Sequence, residues 1–167
     1  MSAKMDEIIP NLWVGSLEDA ISERKKILID VRWPNEIQLQ PYTNRVGVAI
    51  PTTYPVYDSD KDVKTIEASP FAMVIVADLI KEHIKHMPIL VHCVIGVDRS
   101  PLTVACYLVR HHGLSLNDAY KLVETMHPET HRHEDWLPHY WKKFIEGRRY
   151  DHQLAINQLG SERETNP

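Results

Sequence analysis

At 167 residues, with a formal net charge of −4, 43% hydrophobic and 25% charged residues, the chain has the size and make-up of one soluble domain with a single core. Its acidic balance argues against a broad basic face for duplex nucleic acid or anionic lipid. No apolar run approaches the ~18 residues of a membrane helix or the core of a signal peptide, so a cytoplasmic setting is expected.

In chain order, Ile8 to Gly15 (I-I-P-N-L-W-V-G) predicts a turn followed by a short strand, and Ser16 predicts the cap of a helix to about Arg24. Two compact β-branched runs, Lys26 to Val31 and Val46 to Ile50, predict core strands with an irregular stretch, Trp33 to Asn44, between them. The polar, acidic segment Tyr54 to Asp62 predicts a surface loop. Ser69-Pro70 opens a predicted helix to about His86 with Met73, Val76, Ala77, Ile80 and Ile84 on one face. Ile89-Leu90-Val91 then predicts a strand, and Pro101 to about His112 a helix that Gly113 stops.

Ser115 with Asp118 predicts a capped helix whose buried stripe is Ala119, Leu122, Val123 and Met126. A last helix is predicted over Glu134 to Ile145, with Pro138 near its first turn. With no internal repeat, these elements form one α/β unit in which helices cover a central sheet. Residues 1–150 are expected to be the domain and 151–167 a polar extension.

The chemistry concentrates in residues 92–100, H-C-V-I-G-V-D-R-S. A loop between strand and helix turns backbone N–H groups inward as an anion nest, and the helix adds its positive end. Val94, Ile95, Gly96, Val97, Asp98 and Arg99 are the residues expected to surround the anion, with Gly96 permitting the turn and Arg99 forking two hydrogen bonds onto the ligand. Such surroundings favour the thiolate, the reactive form of cysteine, which makes Cys93 a candidate nucleophile and requires that it stay reduced. The other cysteine, Cys106, is expected to pack in the core, against the alternative of a redox partner for Cys93. His127, His131, His133 and His139 lack cysteines or an acidic pair in ligand register and are expected to form a solvated loop; no metal or cofactor is expected.

This loop resembles the signature of the cysteine-based protein tyrosine phosphatases, above all their dual-specificity branch: Cys93, five residues, Arg99 and Ser100, preceded by His92 and centred on Gly96. I-I-P-N-L-W-V-G-S-L-E-D-A near the N-terminus and Pro55-Val56-Tyr57-Asp58 carry the likeness further, over roughly Ile8 to Ile145. The resemblance implies a mostly parallel central sheet flanked by helices and hydrolysis of a phosphomonoester, a phosphorylated protein or another phosphomonoester substrate, through a phosphocysteine. It also implies roles: Cys93 as nucleophile, Arg99 on the phosphoryl oxygens, His92 as an orienter of the loop, and Ser100 as a hydroxyl donor to sulfur with helix capping as its alternative role. Asp58 is the expected general acid, with Asp60 and Asp62 as alternatives.

The sequence departs from that pattern in two places. No lysine or arginine precedes Arg99 in the loop, which disfavours an inositol lipid, and Asp98 opposes anion and thiolate unless its side chain turns away. His127-Pro128 and the following histidines replace the arginine-proline and asparagine pattern of the later loop, and neither Arg132 nor His133 is expected to position the water in its place. Two other readings stand beside hydrolysis. Ile29-Asp30-Val31-Arg32 with Glu36 resembles rhodanese-like sulfurtransferases, although a strand-end ion-pair cluster explains the same residues, and a phosphate reader would bind without turnover. Oligomeric state is not encoded in any of these features.

Overall fold

The computed structural model describes residues 4–41, 46–58 and 63–147. Strand β1 (Asp6–Ile9) turns at Pro10-Asn11 and pairs antiparallel with β2 (Leu12–Gly15). Asn11 takes the left-handed conformation that closes this turn (φ 71°). The pairing adds a strand where the sequence suggests only a turn. Ser16 caps α1 (Leu17–Ser22), its hydroxyl accepting from the Asp19 N–H while the Asp19 carboxylate accepts from the Ser16 N–H.

β3 (Ile27–Asp30) follows, and the stretch expected to be irregular contains α2 (Pro34–Leu39). Proline occupies the first turn of α2 and the Trp33 N–H donates to Glu36, which is sufficient to start a short helix. β4 (Gly47–Ala49) pairs with β3, but it is an exposed sheet edge and not the core strand expected. A Cβ on Gly47 would stand 2.3 Å from the Leu28 carbonyl oxygen, so this edge approaches β3 too closely for any side chain.

Of the segment expected to be a loop, Tyr54 to Asp58 lie in β5 (Thr53–Asp58), which pairs antiparallel with β6 (Val63–Ala68), and residues 59–62 lie outside the described residues. Alternate β-branched and aromatic residues outweigh its polarity, and Pro55 is accommodated in a two-stranded ribbon that leaves an edge free. α3 (Pro70–His83), capped by the Ser69 hydroxyl, leads to β7 (Ile89–His92), buried at every position. The main sheet has the order β1-β2-β7-β3-β4, parallel at every pairing except β1 with β2. β7 therefore delivers the cysteine loop at the carboxyl end of the central strand, where α/β sheets place ligands.

α4 (Arg99–His112) leaves the loop almost wholly buried and ends at Gly113, whose positive φ of 68° terminates the helix. Cys106 is fully buried within it, and desolvation pushes its thiol far up, as a core residue requires. α5 (Leu116–Met126) buries Ala119, Tyr120 and Val123, while Met126 is exposed and so is not part of the stripe as expected. The predicted last helix is interrupted: a 3-10 turn at Glu134–Trp136 ends before Pro138, and α6 (Trp141–Ile145) begins after it. The extension 151–167 lies outside the described residues. No helix among the described residues is long and apolar enough to cross a membrane.

Candidate active site

The loop after β7 is held by its carbonyl oxygens. The His92 Nδ1–H donates to the Cys93 carbonyl (3.2 Å), and the Leu17 N–H, in the first turn of α1, donates to the Val94 carbonyl (2.9 Å). From the other side the His127 Nε2–H reaches the Gly96 carbonyl (2.8 Å) and the His131 N–H reaches the Val97 carbonyl (2.8 Å). In a planar trans peptide the N–H points opposite to its carbonyl. With these carbonyls tied to the outside, the N–H groups of Val94, Ile95, Val97 and Asp98 face the opposite way, into the turn. This is the orientation that makes an anion nest.

Gly96 makes the turn feasible. Its φ is +89°, and an added Cβ would lie 2.7 Å from the Gly15 carbonyl carbon and 2.9 Å from the Ser16 nitrogen. The loop rests directly on the β2–α1 junction, and only glycine has both the dihedral freedom and the volume.

Cys93 lies at the base of the loop, 2% exposed, with Sγ 3.4 Å from the Ser100 Oγ. That hydroxyl also lies 3.3 Å from the Gly15 carbonyl, to which it donates. Ser100 therefore has two partners to choose between: it accepts from a thiol while donating to Gly15, or turns its proton to a thiolate. Capping is not its role, since the α4 N-cap is Asp98. His92 is fully buried and donates to the Cys93 carbonyl; desolvation lowers its pKa against the opposing influence of Asp30.

Arg99 opens α4 and is clamped by Glu36 of α2 through both guanidinium arms, Nη2 to Oε2 at 3.3 Å and Nη1 to Oε1 in a short contact. Burial alone would raise the Glu36 carboxyl, but the Arg99 hydrogen bond and the Trp33 N–H outweigh it and hold the group below the ordinary carboxylate range. The Trp33 ring stacks on the same guanidinium, 5.0 Å from its centroid, and its Nε1–H donates to the Thr53 hydroxyl (3.2 Å). The ion-pair cluster expected of Asp30, Arg32 and Glu36 is thus divided: Asp30 and Arg32 form a buried bidentate pair, and the Glu36 carboxylate serves Arg99.

The Asp98 carboxylate is engaged by His133 Nε2 at 2.7 Å and His131 Nδ1 at 3.3 Å, and His133 stacks on Trp136 with ring centroids 3.6 Å apart. These contacts tie the Asp98 carboxylate to the histidine segment. The histidine-rich segment is only partly the solvated loop expected: His131 and His139 are exposed, while His127 is buried and His133 half-buried. His127 is fully buried, and residues 127–133 brace residues 96–98 from outside. Arg132 pairs instead with Glu124 and Glu134. Ligand atoms of Asp6, His127 and Glu129 lie within 4.8 Å of one another, but the His127 Nδ1 already bonds Asp6 at 2.7 Å.

Asp58 is the last residue of β5, opposite Val63 at the turn end of the hairpin. Five strand residues at ~3.3 Å each put it about 17 Å beyond Thr53, the hairpin residue tied to Trp33. The Asp58 side chain, like Asp60 and Asp62, lies outside what the structure describes. Glu36, Leu17, Trp33 and the bracing histidines are the site residues that local sequence reasoning misses. The one available signal is the density of histidines at 127–133.

Residues 43–147, more than half of the chain, match the family model described as dual specificity phosphatase, catalytic domain. The chain belongs to the dual-specificity phosphatase family. Human dual specificity protein phosphatase 9 is 28% identical over 120 residues, covering 71% of this chain and 30% of that protein. The tyrosine-protein phosphatase MSG5 of Saccharomyces cerevisiae is 53% identical over 38 residues, 23% of this chain and 8% of that one. The chain thus spans less than a third of either relative. Among solved structures, the human tyrosine phosphatase-like serine/threonine/tyrosine-interacting protein superposes with a TM-score of 0.64 at 16% identity, covering 89% of this chain and 97% of that one. It shares the dual-specificity phosphatase fold: a single α/β domain on a mostly parallel sheet.

Proposed function

We propose that the chain is a cysteine-dependent phosphomonoesterase acting on phosphorylated proteins, phosphotyrosine and also phosphoserine or phosphothreonine. The observation that carries this reading is the outward tethering of the Cys93, Val94, Gly96 and Val97 carbonyls, which turns the loop amides toward an anion in front of Cys93. Arg99, pre-aimed by Glu36 and Trp33, supplies the second half of that pocket. A loose phosphoryl-transfer transition state needs such positioning and charge stabilisation more than covalent assistance. Family membership favours phosphoryl over sulfur transfer at the same cysteine.

In this mechanism the Cys93 sulfur forms a bond to phosphorus as the phosphorus–oxygen bond to the leaving group breaks. The leaving oxygen takes a proton from an aspartic acid of the hairpin, assigned to Asp58 with Asp60 and Asp62 as alternatives. A water molecule then attacks the phosphocysteine, gives its proton to the same carboxylate and releases inorganic phosphate. Sulfur departs as a thiolate toward the Ser100 hydroxyl at 3.4 Å. His92, Val94, Ile95, Gly96, Val97 and Asp98 take no part in bond making; they shape and hold the nest. Cys93 acts only while reduced, so the reading carries a reducing compartment, the cytoplasm, with it; both cysteines are free.

The test is phosphate release from para-nitrophenyl phosphate under reducing conditions by the parent, Cys93→Ser and Arg99→Lys. Turnover by the parent that both substitutions abolish supports the mechanism, and Asp58→Asn, Asp60→Asn and Asp62→Asn then identify the acid by loss of the alkaline limb of the pH–rate profile. A folded parent that binds phosphate without releasing it from esters would sink hydrolysis and leave a phosphate reader.

A further inference from the structure

The root of the β5–β6 hairpin is tied to Arg99 by two routes. Thr52, immediately before β5, and Thr53, its first residue, are fully buried, as is Thr103 of α4. The Thr103 hydroxyl donates to the Arg99 carbonyl at 2.8 Å, which commits its only proton, so in its 3.2 Å contact with the Thr52 hydroxyl it accepts. The result is a buried chain from Thr52 through Thr103 to the Arg99 carbonyl, seating the hairpin on the first turn of α4. The Thr53 hydroxyl accepts from the Trp33 indole N–H at 3.2 Å, and the Trp33 ring holds the Arg99 guanidinium 5.0 Å from its centroid. One threonine thus reaches the backbone of Arg99 and the next reaches its side chain.

The aspartates assigned as general acid begin at Asp58, the far end of β5. With about 17 Å of strand between root and tip, a rotation of ~10° at Thr53 moves the tip by about 3 Å, more than a proton transfer tolerates. We propose that Trp33 and Thr53 are positioning residues that couple the acid-bearing strand to Arg99, so that the proton donor and the phosphoryl-binding arginine are set by one shared contact. The inference rests on the phosphatase reading above, and both residues act through other groups, not on the substrate. Its chemical signature is a dependence on the leaving group: para-nitrophenolate is a stable anion that departs with little help from an acid, whereas phenolate needs a proton.

The experiment measures kcat/KM of the full chain for phenyl phosphate and for para-nitrophenyl phosphate under reducing conditions. Trp33→Phe keeps a ring against Arg99 but lacks the indole N–H, and Thr53→Val keeps the shape of the side chain but lacks the acceptor. Each should lower kcat/KM for phenyl phosphate about tenfold and for para-nitrophenyl phosphate less than about threefold. The double variant should lose no more than either single one, because both remove the same hydrogen bond. Thr53→Ser retains the hydroxyl and should keep the parent's ratio between the two esters, which a packing role for Thr53 does not predict. Circular dichroism identifies the folded variants, and the near-isosteric Thr53→Val carries the test should Trp33→Phe not fold. An equal fall for both esters, no fall, or losses that add in the double variant overturn the coupling and leave the phosphatase reading standing. A folded parent that releases phosphate from neither ester overturns that reading, and this inference with it.

Discussion

Glu36 and Arg99, 63 positions apart in sequence, meet as a fork-to-fork ion pair at the mouth of the cysteine loop. Their side chains are 26% and 12% exposed, so the pair is partly shielded from solvent. Such a pair contributes more through the direction it gives to Arg99 than through its Coulomb energy. Glu36→Gln should therefore lower kcat/KM toward para-nitrophenyl phosphate by roughly 10- to 100-fold, equivalent to about 1.4–2.8 kcal/mol of transition-state stabilisation. Steady-state kinetics check this, and an unchanged kcat/KM would mean that the Arg99 backbone position alone aims the guanidinium.

Ser100 offers a prediction confined to one chemical step. Its hydroxyl lies 3.4 Å from the Cys93 sulfur, and in the proposed mechanism it stabilises the thiolate leaving in phosphocysteine hydrolysis. Ser100→Ala should slow the second step about tenfold and produce a rapid initial burst of para-nitrophenol followed by slow turnover. Stopped-flow absorbance distinguishes that outcome from uniform slowing without a burst, which would contradict the assignment.

Gly96→Ala tests the turn itself. The new methyl would press on the Gly15 carbonyl and the Ser16 nitrogen, both backbone atoms, at a residue whose φ is +89°. Destabilisation of roughly 1–3 kcal/mol is expected, with phosphatase activity lost even where circular dichroism shows a native fold. Wild-type activity in this variant would show that the loop tolerates another path.

His92 links stability to pH. Burial depresses its pKa from the ordinary 6.5, so below that value the unfolded chain binds a proton that the folded chain resists. The contribution is fully present above 6.5 and is lost as pH falls toward the depressed folded value, at a rate of at most ~1.4 kcal/mol per pH unit. Urea midpoints taken at about pH 7.5 and about pH 5.5 should differ less in His92→Asn than in the parent; an equal difference would place the acid sensitivity elsewhere.

The strand–loop–helix unit was legible because its parts are contiguous: Ile89 to His112 carries the apolar strand, the C-x5-R spacing and the buried helix in one run. Ser16 and Ser69 were legible as caps for the same reason. Tyr54 to Asp58 looked like the start of a loop because polarity dominates the stretch to Asp62, whereas cross-strand pairing with Val63 to Ala68 decides the structure of these five residues. The Glu36 contact with Arg99 and the His127 contact with Gly96 span 63 and 31 residues, and local periodicity carries no information about which distant side chains the sheet will bring together. Asp98 shows the cost of that blindness: read locally it opposes the anion, and read with His133 it is a hydrogen-bonded strut.

The tethers on the cysteine loop come from both ends of the chain, Leu17 on one side and residues 127–133 on the other. A fragment centred on the signature alone lacks these tethers, and a growing chain cannot make the last of them before His133 is added. During refolding, helices form in about a microsecond, while contacts of this sequence separation close later. Oxyanion binding should therefore return after far-ultraviolet ellipticity, making it a reporter of completed folding.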